Sequence, residues 1–190
     1  MRPVVQDFVQ RALFAEQIDG AKVLEVGSYD VNGSVRPHIE SLNPELYVGV
    51  DMRDGPGVDV VCDCENLDQL KLNSIHWDDP IKWDLVVSTE MLEHALDWRR
   101  CMSQMAAVVA PGGLLLVTTV RAPFPYHPFP NDYWRFEVGD LKRIVEALGL
   151  ETVMAEDFTE FGVGVLARKS SDPLPQGSLE GIEVAGVFDG

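Results

Sequence analysis

The sequence predicts an α/β fold: a three-layer α/β/α sandwich around a mostly parallel seven-stranded sheet with an antiparallel last strand. Three observations carry this. Strand-length apolar runs alternate along the chain with segments of helical period. The run Val23-Leu24-Glu25-Val26 breaks at Gly27-Ser28 and meets a second glycine, Gly33, before a short helix, so a buried strand feeds a tight turn. Leu114 to Val120 is apolar on both faces, as suits a central parallel strand.

Taken in order, Val4, Phe8, Leu13 and Ile18 recur at roughly helical spacing and predict a leading helix within residues 1–20, closed by Asp19-Gly20. The first strand covers Ala21 to Val26, and a short helix runs from Val35 to Glu40. Leu46 to Asp51 and Val58 to Asp63 are the next two strands, each ending in an acid. Trp83 to Ser88 is the fourth. Ala95 to Val109 reads as a helix with Leu96, Met102, Met105 and Val109 inward, stopped by Pro111-Gly112-Gly113. Leu114 to Val120 follows, then a helix from Val138 to Leu148 closed by Gly149. Glu151 to Ala155 and Gly162 to Arg168 complete the sheet.

A chain of 190 residues suits one domain, assigned here to residues 1–170 with a lid loop over 121–136. Residues 171–190, rich in Gly, Pro, Ser and acid, form a C-terminal tail, and composition leaves open whether it packs on the domain, packs on a partner or is loose. Thirty-one acids against fifteen bases give a net charge of −16, which repels phosphate backbones, so no nucleic-acid partner is expected. Cys62, Cys64 and Cys101 make neither a disulfide framework nor a zinc set and read as reduced thiols. Neither a membrane-length apolar run nor a signal pattern is present, so a cytoplasmic protein without membrane partners is expected. Pairing as a homodimer stays open.

Ligands of open α/β sheets bind beyond the carboxyl ends of the strands. Asp51, tipping the second strand, can accept two hydrogen bonds from a ribose diol, and Asp63 can accept from an adenine amine. Neither acid tolerates a phosphate. The glycine line Gly27-Ser28-Tyr29-Asp30-Val31-Asn32-Gly33 also departs from the G-x-G-x-x-G that cradles a pyrophosphate. A cationic sulfur nucleoside suits this acidic cleft better.

With these residues in hand, the chain resembles a class I (Rossmann-like) S-adenosylmethionine-dependent methyltransferase of the small single-domain type. VLEVGS is similar to that family's first motif, YVGVDM to its second and VVCDCENL to its third. WDLVVSTEMLEHALDW with MAAVVAPGGLLLVTT resembles the fourth motif and the strand after it. Tyr29 stands where the family usually has another glycine. The resemblance implies S-adenosylmethionine as cofactor. Gly27, Ser28 and Tyr29 would line its methionine portion, with Glu25 and Gly33 supporting the turn. Asp51 would hold the ribose, Met52 would lie on adenine or else pack in the core, and Asp63 would meet the adenine amine or else cap a helix. Thr89 and Glu90 would face the sulfonium and the acceptor.

In the E-x-x-E-H pattern of Glu90, Glu93 and His94, a helix would put all three side chains on one face. The pattern resembles two metal-assisted branches, the ubiquinone-biosynthesis O-methyltransferases and the small-RNA 2′-O-methyltransferases, and with His127 it forms a candidate divalent-metal set. The competing reading, in which His94 packs and Glu93 is solvated, has the larger weight. Arg121 to Phe136 carries four prolines among aromatics and reads as a stiff lid beside the acceptor. There His127, with Glu90, is the catalytic candidate. Tyr126, Tyr133 and Trp134 would sandwich a flat small-molecule acceptor, and Arg135 would hold a carboxylate or phosphate or else pair with Asp132 or Asp140. The expected activity is methyl transfer to a small-molecule acceptor, through oxygen; the alternatives are a cofactor-binding module without catalysis and a metal-assisted O-methyltransferase.

Overall fold

A computed structural model describes residues 2–70, 81–171 and 177–187. Its seven-stranded sheet runs β3-β2-β1-β4-β5-β8-β7. The strands are β1 (Lys22–Val26), β2 (Leu46–Asp51), β3 (Val60–Val61), β4 (Trp83–Thr89), β5 (Val109–Val120), β7 (Leu150–Asp157) and β8 (Gly162–Lys169). β8 is antiparallel to both of its neighbours, β5 and β7, and the other pairings are parallel. The order reverses between β1 and β4, which opens a crevice at their carboxyl ends.

Alternating side chains divide the core between the two faces. Leu85 and Val87 of β4 and Leu114 and Leu116 of β5 pack with α1 (Pro3–Ala12) and α3 (Arg36–Ser41). Val86, Leu115 and Val117 face the opposite way, into α4 (Trp98–Val108) and α5 (Val138–Ala147). A buried strand that is apolar at every position therefore serves two helical layers, and this is the three-layer sandwich the sequence predicts.

Several elements differ from expectation: β3 is only Val60–Val61, and β5 begins at Val109, so Pro111-Gly112-Gly113 lies inside a strand and not at the end of the helix. The leading helix is broken: Leu13 is extended (φ −118°, ψ 128°) and buries its side chain, and a second short helix, α2 (Ala15–Ile18), restarts where Gln17 Oε1 accepts from Phe14 N. The helix expected from Ala95 starts only at Trp98, because Asp97 Oδ1 accepts from Arg100 N and caps it. Leu96 consequently lies outside that helix and is 66% exposed, not inward. Cys64 and Cys101 are not free thiols but a disulfide with Cα atoms 5.1 Å apart, tying the 3-10 turn Cys64–Gln69 to α4; Cys62 is free.

The described part of the tail is packed on the domain. Leu179 and Ile182 are buried in the α4–α5 cluster, and their carbonyls accept from Arg99. Ala185–Gly186 (β9) pairs antiparallel with Trp134–Arg135 (β6), where the lid loop ends. Among the described residues no helix is long and apolar enough to cross a membrane. His76, to which no role is given, lies outside the described residues.

Candidate active site

The crevice at the carboxyl ends of β1, β2 and β4 is a cavity of about 580 Å³, walled on its far side by the lid loop. Its floor is the turn after β1. Gly27 takes φ +81°, and a Cβ there would fall 2.5 Å from Met91 Cγ, so glycine is required both by conformation and by space. Gly27 N and Ser28 N both donate to Val50 O, which ties the turn to β2. Gly33 N donates to Asp30 Oδ1 at 2.6 Å, closing the far end of the same loop. Glu25, inside β1, is buried and accepts from Tyr47 Oη at 2.7 Å. Burial pushes its carboxyl up to about 7, against the opposing pull of the Tyr47 bond.

Tyr29 leaves the turn for a stack of its own. Its ring lies where a Cβ on Gly55 would come within 2.3 Å, and the Arg53 guanidinium sits 4.8 Å from its centroid. Arg53 also covers Phe129 of the lid at 4.3 Å. The bulky residue in the glycine line thus becomes a platform on which the lid rests.

Asp51, at the tip of β2, lines the cavity and accepts from Arg53 N at 3.0 Å. Met52 is 60% exposed at the rim, which removes the core-packing alternative for it. Asp63 lines the cavity and also caps the 3-10 turn, its Oδ1 accepting from Glu65 N at 2.9 Å. Thr89 ends β4 and lines the same space.

The E-x-x-E-H segment is not one helical face. Glu90 takes a left-handed φ of +52°, and only Leu92–His94 form a 3-10 turn. Glu90 is thereby sent to Arg2, whose Nε lies 3.0 and 3.1 Å from its two oxygens and whose guanidinium stands over Phe124. Glu90 stays on the cavity wall but does not join the metal set.

Glu93, His94 and His127 do converge, with one ligand atom from each lying within 4.8 Å of the others. Glu93 is fully buried. Its Oε2 accepts from Thr119 Oγ1 at 2.8 Å, while Oε1 has no hydrogen-bond partner among the described residues. That oxygen lies 3.7 Å from His127 Nε2 and 4.0 Å from His94 Nε2. His94 Nδ1 donates to Asn131 O, so its Nε2 is the free nitrogen. Burial alone would lower the His127 pKa, but the Glu93 and Asp132 carboxylates outweigh it and raise it above the ordinary value. An orphaned carboxylate oxygen facing two imidazole nitrogens is a donor set that fits a divalent cation.

The lid residues divide. His127 and Tyr133 line the cavity. Tyr126 is 50% exposed and outside the lining. Trp134 is also outside it, anchored through Nε1 to Ala95 O. Arg135, read as an anion holder, is buried and spent on Asp132 through Nη1 (2.5 Å) and Nη2 (2.7 Å) and on the carbonyls of Phe124 and Pro125. Phe136 packs edge-on to Trp98 in the core. Met91 and Arg53 were not singled out by sequence reasoning; Asp132 was, as one of two acids able to pair with Arg135, and it is the one that does.

A glycine turn at the switch point, an acid at the tip of β2, another just beyond β3 and the reversed β8 make up the Rossmann-like fold of class I methyltransferases. The chain belongs to the methyltransferase-domain family, which it matches over residues 1–155. It is 26% identical over 130 residues to ubiquinone biosynthesis O-methyltransferases of Coxiella burnetii strains, a match covering 65% of this chain and 53% of the relative. The chain spans about half the length of these curated relatives. The fold is similar to that of a Burkholderia thailandensis 1,6-didemethyltoxoflavin-N1-methyltransferase crystallised with S-adenosylhomocysteine, at TM-score 0.66 and 15% identity over 87% of this chain and 78% of that one. A Mesorhizobium loti S-adenosylmethionine-dependent methyltransferase gives TM-score 0.66 and 16% identity, covering 87% and 98%. The [4+2]-cyclase SpnF gives 0.64 and 16%, covering 88% and 80%. One fold therefore hosts more than one reaction, and the chemistry must be argued from the site.

Proposed function

We propose that this protein binds S-adenosylmethionine in the crevice and transfers its methyl group to an oxygen of a small, largely uncharged acceptor. The supporting observation is that one cavity is lined by Asp51, Asp63 and His127 together. Asp51 would take the ribose hydroxyls, Met52 would lie on adenine, and Asp63 would meet its amine. Gly27, Ser28 and Tyr29 would border the methionine portion, leaving the methyl group near Thr89 and Glu90.

Transfer breaks the sulfur–methyl bond as the oxygen–methyl bond forms, and the acceptor's proton goes to His127 Nε2. Because the donor is already activated, alignment and exclusion of water carry most of the acceleration, with effective molarities worth roughly 7–11 kcal/mol in well-oriented reactions. Tyr133 and Phe129, both on the cavity wall, suit a flat acceptor. Arg135 is spent on Asp132 and Arg121 on Glu137 and Asp157, so neither lid arginine is left for a carboxylate or phosphate, which favours an uncharged acceptor over an anion. The match to the Coxiella burnetii relatives agrees with an oxygen acceptor.

Calorimetry with S-adenosylhomocysteine tests the cofactor half: Asp51→Ala should weaken binding at least tenfold, and unchanged affinity would refute it. Labelled S-adenosylmethionine offered with a panel of phenols and catechols tests the acceptor half, and transfer only to amines or thiols would overturn it.

A second reading is favoured by the orphaned Glu93 Oε1. Glu93, His94 and His127 would hold a divalent metal, which when bound would act as a Lewis acid toward an acceptor oxygen. Elemental analysis of protein purified without chelator decides this. Stoichiometric metal that is lost in Glu93→Gln supports it, and metal-free, fully active protein removes it.

A further inference from the structure

The three cysteines gather at one wall of the crevice. Cys62 and Cys64 both line the cavity, and Cys64 is bonded to Cys101 of α4. The two ends of that bond are held differently. Cys101 is fully buried, in the same core cluster as Trp98, Met102 and Met105. Cys64 is half-buried, on a 3-10 turn that Asn66 interrupts with φ −135° and ψ 32°. Next to it stands Asp63, which also lines the cavity and whose Oδ1 caps the same turn by accepting from Glu65 N. Arg100 Nε donates to Glu65 O at 2.8 Å and Asp68 N donates to Gln104 Oε1 at 2.9 Å, but both ties from α4 are long side chains able to follow the turn. The disulfide is the tie that cannot stretch.

We propose that the Cys64–Cys101 pair is a redox switch on the cofactor site: bonded, it holds the wall that carries Asp63 in its binding shape, and a dithiol reductant reaching Cys64 through the cavity releases that wall. The inference rests on the reading that the crevice takes S-adenosylmethionine. Bonded sulfurs sit about 2 Å apart, whereas two thiols are kept near van der Waals contact, so reduction must move one side. Cys101 is locked in the core, so the interrupted turn moves, and Asp63 and Glu65 move with it. Access is equally one-sided, because only Cys64 borders the cavity. A thiolate of the reductant attacks Cys64 Sγ, forming a mixed disulfide and releasing the Cys101 thiolate. The reductant's second thiol then displaces Cys64 and the reductant leaves as its own disulfide, so two electrons and two protons pass to the pair. An oxidised dithiol reverses the steps. Cys62 is a poor attacker, since burial, with the charges of Asp63 and Asp68, pushes its thiol up. A nucleoside in the cavity covers the wall where attack occurs, so ligand and reductant oppose each other. The coupling is reciprocal: a ligand that favours the bonded form makes that form harder to reduce.

The test is a redox titration of the full-length protein in mixtures of reduced and oxidised dithiothreitol, with and without saturating S-adenosylhomocysteine. Thiols are trapped with iodoacetamide and counted by mass spectrometry. The oxidised protein should show one free cysteine, Cys62, and the reduced protein all three. Calorimetry should find S-adenosylhomocysteine bound about tenfold more weakly by the reduced protein, and the ligand should then move the midpoint about 30 mV more negative. Cys101→Ala should bind as weakly as reduced wild type and ignore the reductant. Equal affinity in the two redox states overturns the proposal, and so do three free thiols in protein equilibrated with oxidised dithiothreitol alone. The wild-type titration needs no variant to fold. Protein that binds S-adenosylhomocysteine in neither state would remove the cofactor reading and the switch with it, whereas equal binding in both removes the switch alone.

Discussion

Glu93 Oε1 and His127 Nε2 face each other at 3.7 Å beside the cavity, one from the 3-10 turn after β4 and the other from the lid after β5. The two segments are held in register by Tyr133 N, which donates to Glu93 O at 2.8 Å, and by His94 Nδ1, which donates to Asn131 O. The lid is therefore fastened to the strand end that carries Glu93 and His94.

Glu93 depends on Thr119, whose hydroxyl supplies the hydrogen bond to Oε2 at 2.8 Å. Thr119→Val keeps the shape and removes that donor, leaving both oxygens of a buried carboxylate without a partner. The expected loss is about 1–3 kcal/mol of stability, read as a lower urea midpoint with unchanged slope. An unaltered midpoint would mean that the Glu93 carboxylate finds another partner in solution.

Gly27→Ala meets two obstacles at once: a φ of +81° and Met91 Cγ at 2.5 Å from the added methyl group. Backbone strain of about 1–3 kcal/mol is expected. Met91 would be pushed into the cavity, so S-adenosylhomocysteine affinity should fall as well. Calorimetry and thermal melting separate the two effects, and a variant that binds normally would show that the turn can relax.

The sheet was legible in the sequence because its strands obey one local rule, an apolar run ending in glycine or acid. β2 falls on Leu46–Asp51 as expected, and the switch point lies at the predicted VLEVGS strand. The acids at strand tips were legible for the same reason. What escaped was decided by tertiary contact. Glu90 looks helical by spacing but takes φ +52° and pairs with Arg2, 88 residues away. Leu96 fits a helical stripe, yet the cap at Asp97 starts the helix beyond it. For Arg135 the sequence left two readings, an anion holder or a partner of Asp132 or Asp140, and only the path of the loop, which no periodicity describes, brings it to Asp132 and to the carbonyls of Phe124 and Pro125.

Composition left open whether the tail packs on the domain or stays loose. Leu179 and Ile182 are each 8% exposed against α4 and α5, and β9 extends the lid's last strand, β6. Replacing both with alanine should cost about 2–5 kcal/mol for each residue. That would place residues 177–187 inside the cooperative unit and not beyond it. Hydrogen exchange gives the same information without mutation: Val187 N, which donates to Tyr133 O at 2.6 Å, should be protected along with the lid. A double variant that melts like wild type would return the segment to the status of an appendage.

The buried Glu25 makes stability depend on pH in the sense opposite to that of most carboxylates. Its pKa rises from 4.5 to about 7 because burial penalises the charge more than the Tyr47 hydrogen bond relieves it. Between those two values the unfolded chain has released this proton while the native chain still holds it. Folding stability from this group is therefore fully present below pH 4.5, falls as pH rises toward about 7, and is level above that. The depth of the fall is about 3 kcal/mol at most. Glu25→Gln removes the titration yet leaves an oxygen for the Tyr47 hydroxyl, so the variant should gain on wild type across this window. Urea melts of both proteins at about pH 4.5 and pH 8 give the comparison, in which every other titrating group cancels. A gap between variant and wild type that is equal at the two pH values would mean that Glu25 ionises normally in the native state and that water reaches the end of β1.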